Sequence, residues 1–333
     1  MESQNRLFPV RIAGKSGFID AHGHVVVSPQ YDMAGDFHDG LAQVGDLAPD
    51  ETPLFQGLVK RRIGFVNAAG ETVVPLRFEQ ARGFSDGLAA VMLGKKWGYI
   101  NRDGEFIIEP QYDAAWPYSE GLAPVMKGQR YLIIDPAGNV LFEKAAIAIG
   151  QCRNGLMPCF ARNKWTYLDG TGATAFGLQC NAAEEFSEGF ATIVVKRRCG
   201  CIDTTGTVVI TPQFAQASHF HEGMAAVEVF NAGRGETNYG RPQQFGYINR
   251  EGTLAIPATF RYADRFSEGL AAVQLTEANE RGYIDQSGQL VIPPIACELA
   301  LPFADGLARI QGPGGQEVGY IDRHGQFVWP IRR

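Results

Sequence analysis

Long apolar runs are missing from this 333-residue chain. None approaches the ~18 residues that a membrane-spanning helix requires, so no membrane insertion is expected. An excess of basic charge is missing too. Thirty Lys and Arg stand against 36 Asp and Glu, for a formal net charge of −6. That balance speaks against nucleic acid as a partner. The opening Met1-Glu2-Ser3-Gln4 is polar where a secretory signal would be apolar. A cytoplasmic location is therefore expected, with leaderless export as the alternative. Cysteine is scarce, and the six present (152, 159, 180, 199, 201, 297) show no disulfide framework. The glycine-rich Gly312-Pro-Gly-Gly315 lacks the Lys-Ser/Thr that would complete a phosphate loop.

Glycine is abundant instead, at 40 residues, and its placement is periodic. One motif recurs nine times: Asp20…Gly23, Asn67…Gly70, Asn101…Gly104, Asp135…Gly138, Asp169…Gly172, Asp203…Gly206, Asn249…Gly252, Asp285…Gly288 and Asp322…Gly325. From Gly70 to Gly206 the interval is 34 residues each time. Repeats of this length mark solenoids, propellers and arrays, whose units bury their apolar faces against neighbours.

A second motif alternates with the first, an aromatic followed by Gly and an apolar residue. Phe84…Gly87-Leu88, Tyr118…Gly121-Leu122 and Phe266…Gly269-Leu270 are examples. The step from first to second glycine is 17 residues in seven copies and 18 in the last. The return step varies as 30, 17, 17, 17, 17, 29, 19 and 19, so length variation is confined to one side of the unit. The cysteines follow the register. Cys152, Cys159, Cys180, Cys199 and Cys201 fall where other copies carry Phe84, Val125, Tyr112, Trp97 and Tyr99. Buried thiols acting as small hydrophobes are expected there.

Within one unit, Leu88–Met92 and Trp97–Asn101 are short β-type runs joined by a hairpin at Leu93-Gly-Lys-Lys96. The turn Asn101-Arg-Asp-Gly104 follows, with Asn bonding its own backbone and Gly free to take positive φ. Glu105–Pro110 is a third run, which Pro110 is expected to end. Nine three-stranded units are predicted, near 7–36, 41–83, 88–117, 122–151, 156–185, 190–219, 224–265, 270–302 and 307–333. They make a single all-β array over residues 1–333. Propeller blades usually have four strands and number four to eight. The expected architecture is therefore an open β-solenoid or superhelical stack, with a closed β-propeller-like ring as the alternative.

Lys96-Trp97-Gly98-Tyr99-Ile100-Asn101…Gly104, with Ile107-Ile108-Glu-Pro110-Gln-Tyr112-Asp113 after it, resembles the bacterial WG (KWG) repeat. The resemblance runs along the whole chain. It implies a β-rich interaction module, and it brings no catalytic residues.

The residues that tempt a catalytic reading recur at fixed register, whereas catalysis needs one singular constellation. Ser85, Ser119, Ser187 and Ser267 precede the second turn glycine by two positions. Asp39, Asp86, Glu120, Glu188, Glu222, Glu268 and Asp305 precede it by one. Both series read as turn residues, and no enzyme and no cofactor are expected. A basic series, Lys15, Arg62, Lys96, Arg130, Lys164 and Arg198, reads as protection of strand edges rather than as a stripe for an acidic polymer. His219-Phe-His221 offers two imidazoles to a metal but no evident third ligand, and Cys199-Gly-Cys201 lacks the fourfold spacing of a zinc site. His22, His24, His38 and His324 lie in or beside turns. No metal site is expected.

A non-enzymatic module that binds another protein is the expected function, with an immunity partner that caps a bacterial toxin as a specialised form. The alternative is a binder of carbohydrate or cell-wall polymer through aromatic ladders. Two hairpins are enlarged, near residues 45–62 and 230–245, and they carry Phe55, Lys60, Arg61, Arg62, Arg234, Tyr239 and Arg241. Arg and aromatic residues concentrate at interface centres, so these seven are the candidate partner-binding residues.

Overall fold

The computed structural model describes residues 6–47, 61–230, 244–312 and 318–330. Among these residues the regular structure is β throughout, in nine antiparallel sheets. Eight have four strands and the first has three, Phe8–Ile12, Lys15–Ile19 and Val25–Tyr31. The chain divides into two compact units, Met1–Arg162 with Leu168–Ala173, and Asn163–Tyr167 with Thr174–Arg333.

The three-stranded unit expected from the sequence is thus corrected to a four-stranded meander, the make-up of a propeller blade. The strand that escaped the count is very short. Ala114–Ala115 pairs with Ala123–Lys127, which pairs with Arg130–Ile134 and then Val140–Lys144. Gln80–Ala81, Ala148–Ile149, Gln216–Ala217, Tyr262–Ala263 and Leu299–Ala300 are its two-residue counterparts, and Met33–His38 and Ala182–Ser187 its six-residue ones. Alternation cannot show in two residues, so a strand this short leaves no periodic signal in the sequence. Each short strand begins the sheet that follows it.

The glycine turns take the conformations their spacing implied. Gly104 closes the Asn101 turn at φ +83°, and its N–H donates to Asn101 O over 3.0 Å. The Asn101 side-chain oxygen accepts the N–H groups of Asp103 (3.1 Å) and Glu105 (2.9 Å). At the second motif Asp86 and Gly87 both have positive φ, 52° and 77°, and Ser85 and Leu88 exchange both backbone bonds. This is a two-residue hairpin loop of the primed kind, which matches strand twist. Lys95 and Gly94 form another, between Leu93 and Lys96.

Pro110 does not end its strand, which runs from Phe106 to Tyr112. Trp97 faces Tyr112 while Tyr99 faces Ile108, so the edge strand bulges around Pro110, where no ladder donor is needed.

The core lies between consecutive sheets. In the first unit Leu88, Tyr99 and Ile108 of one sheet pack against Ala115, Tyr118 and Val125 of the next. In the second unit Cys201, Ile210 and Phe214 pack against Phe220, Val227 and Ile248. Tyr99 meets Tyr118 edge-on at 4.9 Å, and Tyr247 meets Phe266 at 4.8 Å. Such burial stabilises by about 1.5–3 kcal/mol per large side chain. The polar ends are satisfied as well: Tyr99 Oη donates to Trp116 O over 2.8 Å and Tyr283 Oη to Leu301 O over 2.8 Å. The aromatic motif is therefore the joint between one sheet and the next.

Candidate functional site

The would-be catalytic serines, and the carboxylates from Asp39 to Glu268, are spent on joining sheets. The hydroxyls of Ser85, Ser119, Ser187 and Ser267 donate to the carbonyls of Tyr118, Cys152, Phe220 and Phe303 over 2.6–2.7 Å, each in the following sheet. The carboxylates accept from the backbone of the next turn. Asp86 Oδ2 takes the Gly121 N–H (2.9 Å), Glu120 those of Asn154 and Gly155 (2.8 Å each), and Glu188 that of Gly223 (2.9 Å). Glu222 takes the Gly269 N–H and Glu268 that of Gly306. Burial alone would push the Glu120 and Glu188 carboxyls up. The backbone donors outweigh it, joined at Glu188 by Arg250, and hold both below the usual range. Arg102, Arg250, Gln286 and Arg323 reach back from the Asp/Asn turns to the same series, meeting Asp39, Glu188, Glu222 and Glu268. Turn preference identified these positions, but the partners lie a whole repeat away, where local reasoning does not reach.

Three of the six residues of the basic series pair with acids. Lys15 Nζ contacts Asp32 at 2.7 Å and Lys96 Nζ contacts Asp113 at 2.6 Å. Those lysines, with the N–H groups of Leu47 and Gly128, hold the two aspartates below their ordinary range. Arg130 pairs with Glu143, and Arg198 lies over the Phe230 ring at 5.0 Å.

Of the seven candidate partner-binding residues, Phe55, Lys60, Arg234, Tyr239 and Arg241 lie outside the described residues. Arg61 and Arg62 begin the strand Arg61–Asn67, opposite Leu47 and Asp46, and Arg62 is exposed. Both enlarged connections leave from equivalent places, between the second and third strands of their sheets: after Leu41–Leu47 in one and after Ala225–Glu228 in the other.

Among the described residues, His219 and His221 do not converge with a third ligating side chain into one group. His219 Nε2 lies 3.1 Å from Glu184 Oε2, and that contact raises its pKa. Burial and the nearby Arg265 lower that of His221. Among the described residues one group of three ligating side chains does converge, Asp20, His22 and His24, with donor atoms within 4.8 Å of one another. The sequence placed the two histidines beside a turn, and the signal for their meeting was the i, i+2, i+4 spacing across it.

The profile of the family "WG containing repeat" matches residues 17–45, 63–97, 97–131, 200–229, 245–277 and 282–311, together more than half of the chain. The chain belongs to the WG repeat family. No curated protein matches its sequence. Among solved structures it resembles one titled "Crystal structure of the eukaryotic initiation factor", with a TM-score of 0.67 at 8% identity, over 97% of this chain and 95% of that one. That likeness shows the fold to be a nine-bladed β-propeller, in which eight blades have four strands among the described residues, and overturns the open solenoid of three-stranded units. Apo AztD from Citrobacter koseri (TM-score 0.43, 10% identity, 97% of this chain and 93% of that one) is also similar. So is a streptogramin B lyase (TM-score 0.38, 12% identity, 95% and 94%).

The family profile skips residues 132–199, yet the WG propeller keeps its sheets there. What changes is the edge strand. Leu132 and Thr166 stand where Gly98 stands in the regular WG repeat, and the edge strands Val140–Lys144 and Thr174–Leu178 have five residues rather than seven. Trp165 still donates its indole N–H to Asn181 O over 3.1 Å.

Proposed function

We propose that this WG repeat propeller is a non-enzymatic scaffold that binds another protein, docking it on the enlarged connections near 45–62 and 230–245. The observation that carries this reading is the use made of the repeated polar residues. Serines and carboxylates placed like catalytic groups are committed to neighbouring blades. The sequence that departs from the repeat, with its arginines and aromatics, is concentrated in two connections of the same kind. Insertions in repeat proteins commonly gather on a binding face. A partner that caps a bacterial toxin is a special case of the same reading.

Carbohydrate binding would need exposed aromatic faces, and Phe327 is the one exposed aromatic among the described residues. The large aromatics Tyr99, Tyr118, Tyr167, Tyr247 and Tyr283 are fully buried.

To test the proposal, each connection is shortened to the Met92–Lys96 pattern, and folding is followed by thermal melting. The intact chain serves as bait, with bound protein identified by mass spectrometry. Normal melting with loss of the captured partner is the expected result. Undiminished capture after both connections are shortened would refute the docking site.

A further inference from the structure

We propose that the turn Asp20–His24 is a binding site for a divalent transition-metal ion of the zinc class, held by Asp20 Oδ2 and one imidazole nitrogen each from His22 and His24. The turn does the positioning. Asp20 Oδ1 accepts the N–H groups of His22 and His24 at 2.8 and 2.9 Å, which fixes the carboxylate against the backbone. Its other oxygen is turned toward the imidazoles, 3.1 Å from His24 Nδ1 and 3.9 Å from His22 Nδ1. The rings lie nearly parallel, at an interplanar angle of 25° with centroids 6.1 Å apart.

Metal–ligand bonds of about 2.0–2.2 Å place neighbouring donors on one ion roughly 3–3.5 Å apart. The His24 separation, 3.1 Å, falls in that range and the His22 separation, 3.9 Å, lies a few tenths of an ångström above it, a gap that rotation of the exposed His22 side chain would close. Two imidazoles with one carboxylate suit zinc, copper or nickel better than calcium or magnesium, which prefer sets made only of oxygen. Three protein donors leave at least one position open to water or to a donor from another molecule.

Comparison with the other blades separates this site from ordinary turn chemistry. The same backbone bonds form at Asn67, Asn101 and Asp203, whose turns carry no imidazole. The last copy, Asp322, carries His324 but has Gln326 where the first has His24. Only the first of the nine turns therefore presents both imidazoles to its acid. Nothing in the turn itself requires them, and their side chains are 81% and 79% exposed.

The test is zinc titration of the metal-stripped full chain by calorimetry, with the histidine ring proton signals followed by NMR. One equivalent of Zn²⁺ should bind and shift the His22 and His24 signals, and excess Mg²⁺ should not displace it. The double variant His22→Asn/His24→Asn should lose that equivalent while melting normally. Asp20→Asn keeps the turn, as Asn does at Asn67 and Asn101, and should weaken zinc by roughly tenfold or more. His219 and His221 remain in every variant, so the difference between proteins reports this turn. Zinc binding by the double variant equal to that of the parent, or no effect on these two ring signals in the parent, would overturn the proposal. An unchanged affinity in Asp20→Asn would exclude the carboxylate as a ligand.

Discussion

A Cβ placed on Gly98 would sit 2.4 Å from the carbonyl oxygen of Ile108 on the neighbouring strand. The same approach recurs between Gly17 and Val27 (2.3 Å), Gly64 and Val74 (2.3 Å) and Gly200 and Ile210 (2.4 Å). Each of these glycines faces an edge strand whose register shifts at that point. Where the glycine is replaced, at Leu132, the shift at that point is absent: Tyr131 faces Lys144, Leu132 faces Glu143 and Ile133 faces Phe142, and the register shifts only between Ile133 and Ile134. The glycine of the WG motif is thus the space into which the bulged strand folds.

Gly98→Ala should consequently destabilise the chain by about 1–3 kcal/mol, the range for overpacking a filled site, because the obstacle is backbone rather than a side chain able to turn away. Urea denaturation of the variant checks this. Gly177→Ala is the control, since the nearest atom to its Cβ would be Thr166 Cγ2 at an ordinary 3.8 Å. Equal stability of the two variants would show that the close approach is not a constraint.

The carboxylate joints give a second expectation. Glu120 has φ +53°, which costs a residue with a Cβ about 1 kcal/mol, yet its carboxylate bonds two N–H groups of the next blade. Glu120→Ala keeps the strain and loses the bonds, and a loss of about 1–2 kcal/mol is expected for a charged acceptor at the surface. Glu120→Gly loses the same bonds but relieves the strain, so it should be the milder change. If denaturation ranked them the other way, the inter-blade bonds would not explain the acid at this position.

Much of this was legible in the sequence and some was not, for physical reasons. Gly104 and Gly87 were readable because positive φ selects glycine, and the buried tyrosines and cysteines because apolar positions recur at fixed register. Ala114–Ala115 was not, because two residues carry no alternation, and losing that strand turned a four-stranded blade into a three-stranded unit. The role of Glu120 was half readable. Its turn is local, but the Gly155 N–H it binds lies 35 residues on. The Asp20 cluster was hidden because each histidine alone looks like a turn residue.

Acid should weaken the fold through these same groups. Hydrogen bonds from Asn139, Thr171, Thr205 and Ser287 lower the carboxyls of Asp135, Asp169, Asp203 and Asp285, and backbone donors lower that of Glu120 against the opposing effect of burial. A carboxyl whose folded pKa lies below its unfolded value stabilises the fold fully above the unfolded value. That contribution is lost as pH falls through the folded one. Unfolded carboxyls titrate near pH 4, so stability from these groups should hold at pH 7 and fall progressively below about pH 4.5. Urea midpoints measured at pH 7, 5, 4 and 3 check this. A midpoint that rises on acidification would contradict the assignment.

The thiols supply the last prediction. All six cysteines are free, and Cys180 alone among them is not fully buried. Burial pushes the Cys152 and Cys201 thiols up to about 12, with the Glu120 carboxylate adding to the effect at Cys152. The thiolate is the reactive form, so at pH 8 these two should scarcely react with an aromatic disulfide reagent in the native chain. Burial raises Cys180, Cys199 and Cys297 too, but Cys180 is the one a reagent can approach. The expected time course is one slow native reaction, removed by Cys180→Ser, followed by release of the remaining thiols on denaturation. Rapid native modification of Cys199 or Cys201, found by peptide mapping, would mean that the packing between the blades around Phe214 and Phe220 opens far more readily than the core of this fold implies.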